Sequence, residues 1–177
     1  GFLGYAISSY LGGDVSFALM NGIIVMCTLS FLFFNFSPSK IFMGDVGSIS
    51  LGFLSGAMGI IGWQKELWAL WFPLLIFSPF IIDATTTLLK RLSRKEKFWK
   101  AHREHYYQRL ILLGWSHKKT ALISYLVMIF VSLISLYINY FNDYKPILII
   151  IFIGYFFTMI YIDTIWKNHL FNNKGNN

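Results

Sequence analysis

This chain is poor in charge and nearly devoid of cysteine. Of its 177 residues, 13% are Asp, Glu, Lys or Arg, whereas soluble chains average roughly a quarter. The chain is also 56% hydrophobic and 19% aromatic. A soluble domain of this size could not hide so much apolar surface, but a bilayer protein can. The single cysteine, Cys27, excludes an internal disulfide and a thiolate metal cluster. It lies in an apolar run and is expected to be a small buried hydrophobe. There is no internal repeat, and no low-complexity stretch except the Asn/Lys/Gly tail at 172–177. The chain opens on Gly rather than Met and shows no charged n-region of a signal peptide. The expectation is the C-terminal part of a longer protein, its first helix shortened at the start.

A formal charge of +7 could suggest nucleic acid. Its distribution argues against that. Ten of the fifteen Lys and Arg residues fall within 90–119, between apolar segments. That is the pattern of a positive-inside loop, not of a basic recognition face.

Hydropathy supplies the elements. Residues 15–34 carry no charge over about the length needed to cross a bilayer. Residues 48–63 are shorter and glycine-rich, and 67–89 are apolar apart from Asp83. Residues 120–141 and 146–166 form a pair joined by Asn-Asp-Tyr-Lys. The expected fold is an all-α transmembrane bundle forming one domain over 1–177, with five complete spans. Residues 1–11, before a Gly12-Gly13-Asp14 turn, are half a span long. If 90–119 is cytoplasmic, alternation places 35–47 and the tail on the same side. Thirteen basic residues then lie on that side, and only Lys65 and Lys145 on the other.

One connection stands out. Residues 35–52 read Asn-Phe-Ser-Pro-Ser-Lys-Ile-Phe-Met-Gly-Asp-Val-Gly-Ser-Ile-Ser-Leu-Gly. A lone carboxylate, Asp45, stands between Gly44 and Gly47 at a membrane edge. Glycines allow close backbone approach, and a carboxylate there suits Mg²⁺, which takes one or two carboxylates plus substrate phosphates. Alternatively Asp45 caps a helix starting near Ser48. The glycines at 44, 47, 52, 56, 59 and 62 suit close helix packing.

The basic loop holds a second candidate. In Ala-His-Arg-Glu-His-Tyr-Tyr-Gln-Arg-Leu at 101–110, a helix would put His102, His105 and Arg109 on one face. With Arg103, such a face could grip a diphosphate, since arginine meets phosphate bidentately. It could equally be a polar interfacial helix. The dense run beginning at Lys90 and Arg91 reads as a topogenic anchor for Arg94, Lys95 and Lys97. Asp83 lies about two helical turns before Lys90. It is a functional candidate because acids near spans are costly, and it could pair with the loop or line a cleft. Asp163 is expected beside Lys167 at i+4. His117 begins the next span and is expected to be interfacial.

The run from Phe36 to Phe53 resembles the Pro-x-Lys/Arg-Ile-Phe-Met-Gly-Asp-x-Gly-Ser segment of the polyprenyl-phosphate N-acetylhexosamine-1-phosphate transferases. Asp83-Ala-Thr-Thr-Thr, the Ala-His-Arg-x-His run and Gly114-Trp115-Ser116-His117 resemble a later region of that family, closest to the subgroup that starts O-antigen and capsule units. The resemblance implies a membrane enzyme that uses a UDP-N-acetylhexosamine and a polyprenyl (undecaprenyl) phosphate and releases UMP. It implies Mg²⁺ at Asp45, with Lys40, Gly44, Gly47, Ser48, His102, Arg103, His105 and Arg109 in substrate binding. It also implies a bacterial inner membrane with a cytoplasmic active face; a homodimer is left open. Two features depart from the family. This chain lacks the run of three histidines of the peptidoglycan translocase, which speaks against a muramoyl-pentapeptide substrate. It also lacks the adjacent aspartates and the Asp-Gly-Ile-Asp-Gly segment assigned to catalysis and the uridine site, so the catalytic residues are unknown. A transporter-like bundle and a non-catalytic assembly partner remain as alternatives.

Overall fold

The computed structural model describes residues 1–36, 38–97, 104–141 and 145–175. Among them every regular element is helical: α1 (Phe2–Leu11), α2 (Val15–Asn35), α3 (Gly44–Gln64), α4 (Trp71–Ile76), α5 (Ser78–Ser93), α6 (Tyr106–Leu112), α7 (His117–Phe141) and α8 (Lys145–Gly175). Helices satisfy every backbone polar group internally, which is what lipid demands. Four stretches are long and apolar enough to span: Val15–Asn35, Gly44–Gln64, His117–Phe141 and Ile147–His169. Their faces are mostly exposed apolar side chains, as expected of a multi-pass membrane protein. Cys27, expected to be buried, is exposed on α2.

The fifth expected span is not one helix. Residues 67–89 divide into α4 and α5, with Phe77 between them as the C-cap of α4. Pro79 explains the break. It has no N–H to offer the carbonyl of Leu75, and its ring would clash there.

The chain forms two compact units. The first comprises Gly1–Ser78 with Tyr125–Asn142. Its core is Tyr5, Phe17, Met58, Trp68, Phe72 and Ile76. The Tyr5 and Trp68 rings stack at 4.9 Å. Each polar tip finds a carbonyl of α3: Tyr5 Oη donates to Ser55 O (3.2 Å), and Trp68 Nε1 to Gly59 O (3.0 Å). Close approach there requires glycine, since a Cβ on Gly62 would sit 1.9 Å from the Trp68 ring. Gly52 and Gly56 meet nothing within 4 Å, so only part of the glycine stripe serves packing. Asn139 of α7 donates to Ser8 Oγ (2.8 Å) and Leu67 O (3.3 Å). Asp14 caps α2 through the Phe17 N–H (2.9 Å) and pairs with Lys65 (2.7 Å). The Lys65 bond, then the Phe17 N–H, holds the Asp14 carboxyl below its ordinary range.

The second unit comprises Pro79–Ser124 with Asp143–Asn177. Within it α6 packs on α8. Gly114, at φ +96°, turns the chain out of α6. Ser116 Oγ then accepts the Lys119 N–H (3.2 Å) at the start of α7. His117 is the exposed first residue of α7.

Candidate functional site

In the first unit the chain leaves α2 at Phe36, which is extended at φ −63°, ψ 145°. Asn35 Nδ2 donates to Ile41 O (2.7 Å), and the Lys40 N–H to Phe34 O (2.9 Å). These bonds fold the connection back on the end of α2. Lys40 itself is exposed. Gly44 takes φ +62°, a region that disfavours side chains, and α3 begins there. A Cβ on Gly47 would meet Met43 Cγ at 2.5 Å, so glycine lets the Met43 side chain fold over the helix start. Ser48 Oγ donates to Asp45 O (3.3 Å).

Asp45 is therefore not the cap of a helix starting near Ser48. It lies inside the first turn of α3, where a negative charge suits the helix dipole. It is exposed, and no described residue bonds its carboxylate. Among the described residues, no group of three or more His, Cys, Asp or Glu could enclose a metal. One exposed carboxylate is nonetheless a fitting donor set for an ion that takes its other ligands from phosphate and water.

The second unit holds a dense polar cluster. His102 and Arg103 lie outside the described residues. The expected helix through 101–110 is corrected at its start: α6 begins at Tyr106, with His105 extended as its N-cap (φ −57°, ψ 146°). A local capping box of His105 and Gln108 marks this start, and a second group reaches it from 23 residues upstream. Asp83 Oδ1 accepts the Tyr106 N–H (2.9 Å) and lies 3.3 Å from His105 Nδ1. His105 and Arg109 therefore do not share a helical face.

Arg109 is buried, 4% exposed. Its Nη1 donates to Asp163 Oδ1 (2.9 Å), and its Nε to Glu104 O (2.8 Å). Its guanidinium lies over the Tyr106 and Trp166 rings at 5.2 and 5.9 Å. Asp163 also accepts from Lys90 and, at 3.3 Å, from Tyr106 Oη. Asp163 thus joins α5 and α6 to α8. Sequence reasoning missed this, because it offered only Lys167 as a neighbour. Burial pushes the Tyr106 phenol up, against the pull of Lys90.

The anchor run is likewise tied up. Lys90 reaches Tyr106 Oη (2.5 Å). Arg91 is buried beside Glu96, and Arg94 pairs with Glu96 and Glu104. Burial raises the Glu104 carboxyl, but the Arg94 bond and charge outweigh it and hold the group below its ordinary range. Arg94 is thus part of the loop's internal structure as well as of its surface charge.

A helical, multi-pass chain with a glycine-flanked acid at one helix start defines a class: polytopic membrane proteins with a polar centre at a membrane edge. Comparison narrows it. The profile of Glycosyl transferase family 4 matches residues 1–63. A probable undecaprenyl-phosphate N-acetylglucosaminyl 1-phosphate transferase of Bacillus subtilis is 33% identical over 69% of this chain and 35% of its own length. A phospho-N-acetylmuramoyl-pentapeptide-transferase of Staphylococcus saprophyticus is 32% identical over 78% of this chain and 42% of its own. One from Staphylococcus aureus is 30% identical over 78% and 42%. The chain belongs to glycosyl transferase family 4. It spans well under half the length of these curated relatives. No solved structure matches it.

Proposed function

We propose that this chain is the part of a membrane transferase that holds metal and phosphate while a sugar 1-phosphate passes from a UDP-N-acetylhexosamine to a polyprenyl phosphate. An oxygen of the lipid phosphate attacks the β-phosphorus. The bond from that phosphorus to the bridging oxygen breaks, and UMP leaves with the electron pair. The product is a polyprenyl diphospho-sugar for cell-surface polymer synthesis. The observation that carries this reading is the alignment of 69% of the chain with a relative named for such a transfer.

The chemistry of the residues supports it. Both substrates are anionic, so charge must be neutralised where it shifts. Asp45 would hold Mg²⁺, which when bound supplies that neutralisation. The N–H groups of the first turn of α3, where Gly44 leaves the backbone open, suit a phosphate oxygen. Lys40 and Ser48 add donors nearby. Within the loop, His102, Arg103 and His105 are proposed to contact the nucleotide-sugar, while Arg109 serves through the structure it holds. The charge distribution supports a cytoplasmic position for both elements at a bacterial inner membrane. The lack of three consecutive histidines favours an N-acetylhexosamine over the muramoyl-pentapeptide.

The test is direct. Membranes carrying the longest reading frame that contains these residues should convert labelled UDP-N-acetylglucosamine or UDP-N-acetylgalactosamine and undecaprenyl phosphate to a lipid-soluble product, with equimolar UMP. Release of UDP instead of UMP would rule out phospho-sugar transfer.

A further inference from the structure

We propose that Asp163 is a positioning residue: from α8, and through Arg109, it holds the backbone at Glu104 so that the histidine segment around it can meet substrate. The functional half rests on the reading of His102, Arg103 and His105 as substrate contacts; the structural half does not.

Two pairs interlock between α6 and α8. Tyr106 and Arg109 stand three residues apart on α6, and Asp163 and Trp166 three apart on α8, so each pair shares a face. The other three residues meet at the Arg109 guanidinium. Its Nη1 donates to Asp163 Oδ1 (2.9 Å), and it lies over the Tyr106 and Trp166 rings. Tyr106 Oη donates to Asp163 Oδ2 (3.3 Å), and Lys90 of α5 donates to the same oxygen. Tyr106 and Arg109 are both buried. Holding a short helix on a long one needs only apolar contact. Ions taken out of water cost desolvation, and apolar replacements are often no less stable. The cluster therefore calls for another role.

That role lies in the remaining bond. Arg109 Nε donates to the main-chain carbonyl of Glu104 (2.8 Å), the residue between Arg103 and His105. A guanidinium is a planar, rigid fork. Fixing Nη1 on Asp163 therefore fixes the direction in which Nε points. Arg94 holds the Glu104 side chain, and Arg109 holds its backbone. The carboxylate on α8 thus governs a main-chain position next to the proposed contacts. A lysine at 109 could keep the charge pair but not both bonds.

Hydrogen–deuterium exchange of the detergent-solubilised protein, read by mass spectrometry, tests the structure. Exchange over 104–112 should be faster in Asp163→Ala and in Arg109→Lys, with α3 unchanged. Arg109→Lys keeps the charge pair, and so keeps the test sound should Asp163→Ala not fold. In the transfer assay both should lower kcat/KM about ten- to a hundred-fold, as small misplacements do, chiefly by raising the KM for the nucleotide-sugar. Neither should add to the loss in a variant carrying Arg103→Ala and His105→Gln together. Unchanged exchange over 104–112 in folded Arg109→Lys overturns the structural half, whatever the activity. Faster exchange with undiminished kcat/KM, or an equal further loss in the double-variant background, sinks the positioning role. Full activity of the double variant would remove the loop from the substrate reading and take the positioning role with it, while faster exchange would still uphold the structural half.

Discussion

Among single residues, Asp163 shows best what a sequence hides. Spacing on one helix pointed to Lys167, four residues on. Its partners are Lys90 and Arg109, 73 and 54 residues away. A helical repeat reports neighbours on one helix and says nothing of another helix brought alongside. Removing one partner of a buried pair leaves an uncompensated charge, which costs roughly 3–5 kcal/mol when burial is complete. Asp163 is 27% exposed, so Asp163→Asn should fall below that range and still lower the thermal midpoint in detergent clearly. Asp14→Asn, at a more exposed pair with Lys65, should change it less. Asp83 was legible as a costly acid in an apolar segment that could pair with the loop, and it meets His105 and Tyr106 there; which loop residues it would meet was not legible. The same holds for Arg94, read as surface anchor and found bonded to Glu104.

Hydropathy was a good guide to the elements where apolar runs were long. Helices α2 and α7 fall within a few residues of expectation, and α8 starts within one residue of it but runs on to Gly175, past the expected end at 166. Segment 67–89 failed because mean hydropathy ignores backbone chemistry, although Pro79 carried the signal. The start of α6 was misplaced because Asp83 on α5 holds its first N–H and its local capping box uses His105 and Gln108 rather than a Ser, Thr, Asp or Asn. The glycines of α3 looked equivalent in sequence and are not. Gly62→Ala would drive a methyl into the Trp68 ring, and overpacking of this kind costs about 1–3 kcal/mol. Gly52→Ala enters open space and should leave the thermal midpoint unchanged or slightly raised. Equal losses at the two positions would show that the Trp68 contact does not set the tolerance of α3.

For the whole molecule, composition alone identified a membrane protein, and the basic residues proposed its orientation. With Cys27 replaced by Ser, a cysteine at Ser93 should react with impermeant reagent only from the cytoplasmic side, and one at Asn142 only from the other. Labelling from one side would refute the topology. The Gly-Asp-Val-Gly-Ser motif was legible as a candidate phosphate and metal element because it is compact and local. Its helix start was not, since Gly44 begins α3 four residues before Ser48. The most direct test of the account is Asp45→Asn in the transfer assay, with membrane insertion verified and Mg²⁺ titrated. Loss of one preorganised contact at developing charge costs about 100-fold or more, so transfer should fall at least that far while the protein inserts normally. Near-normal transfer with an unaltered Mg²⁺ requirement would contradict the assignment of Asp45 to the metal.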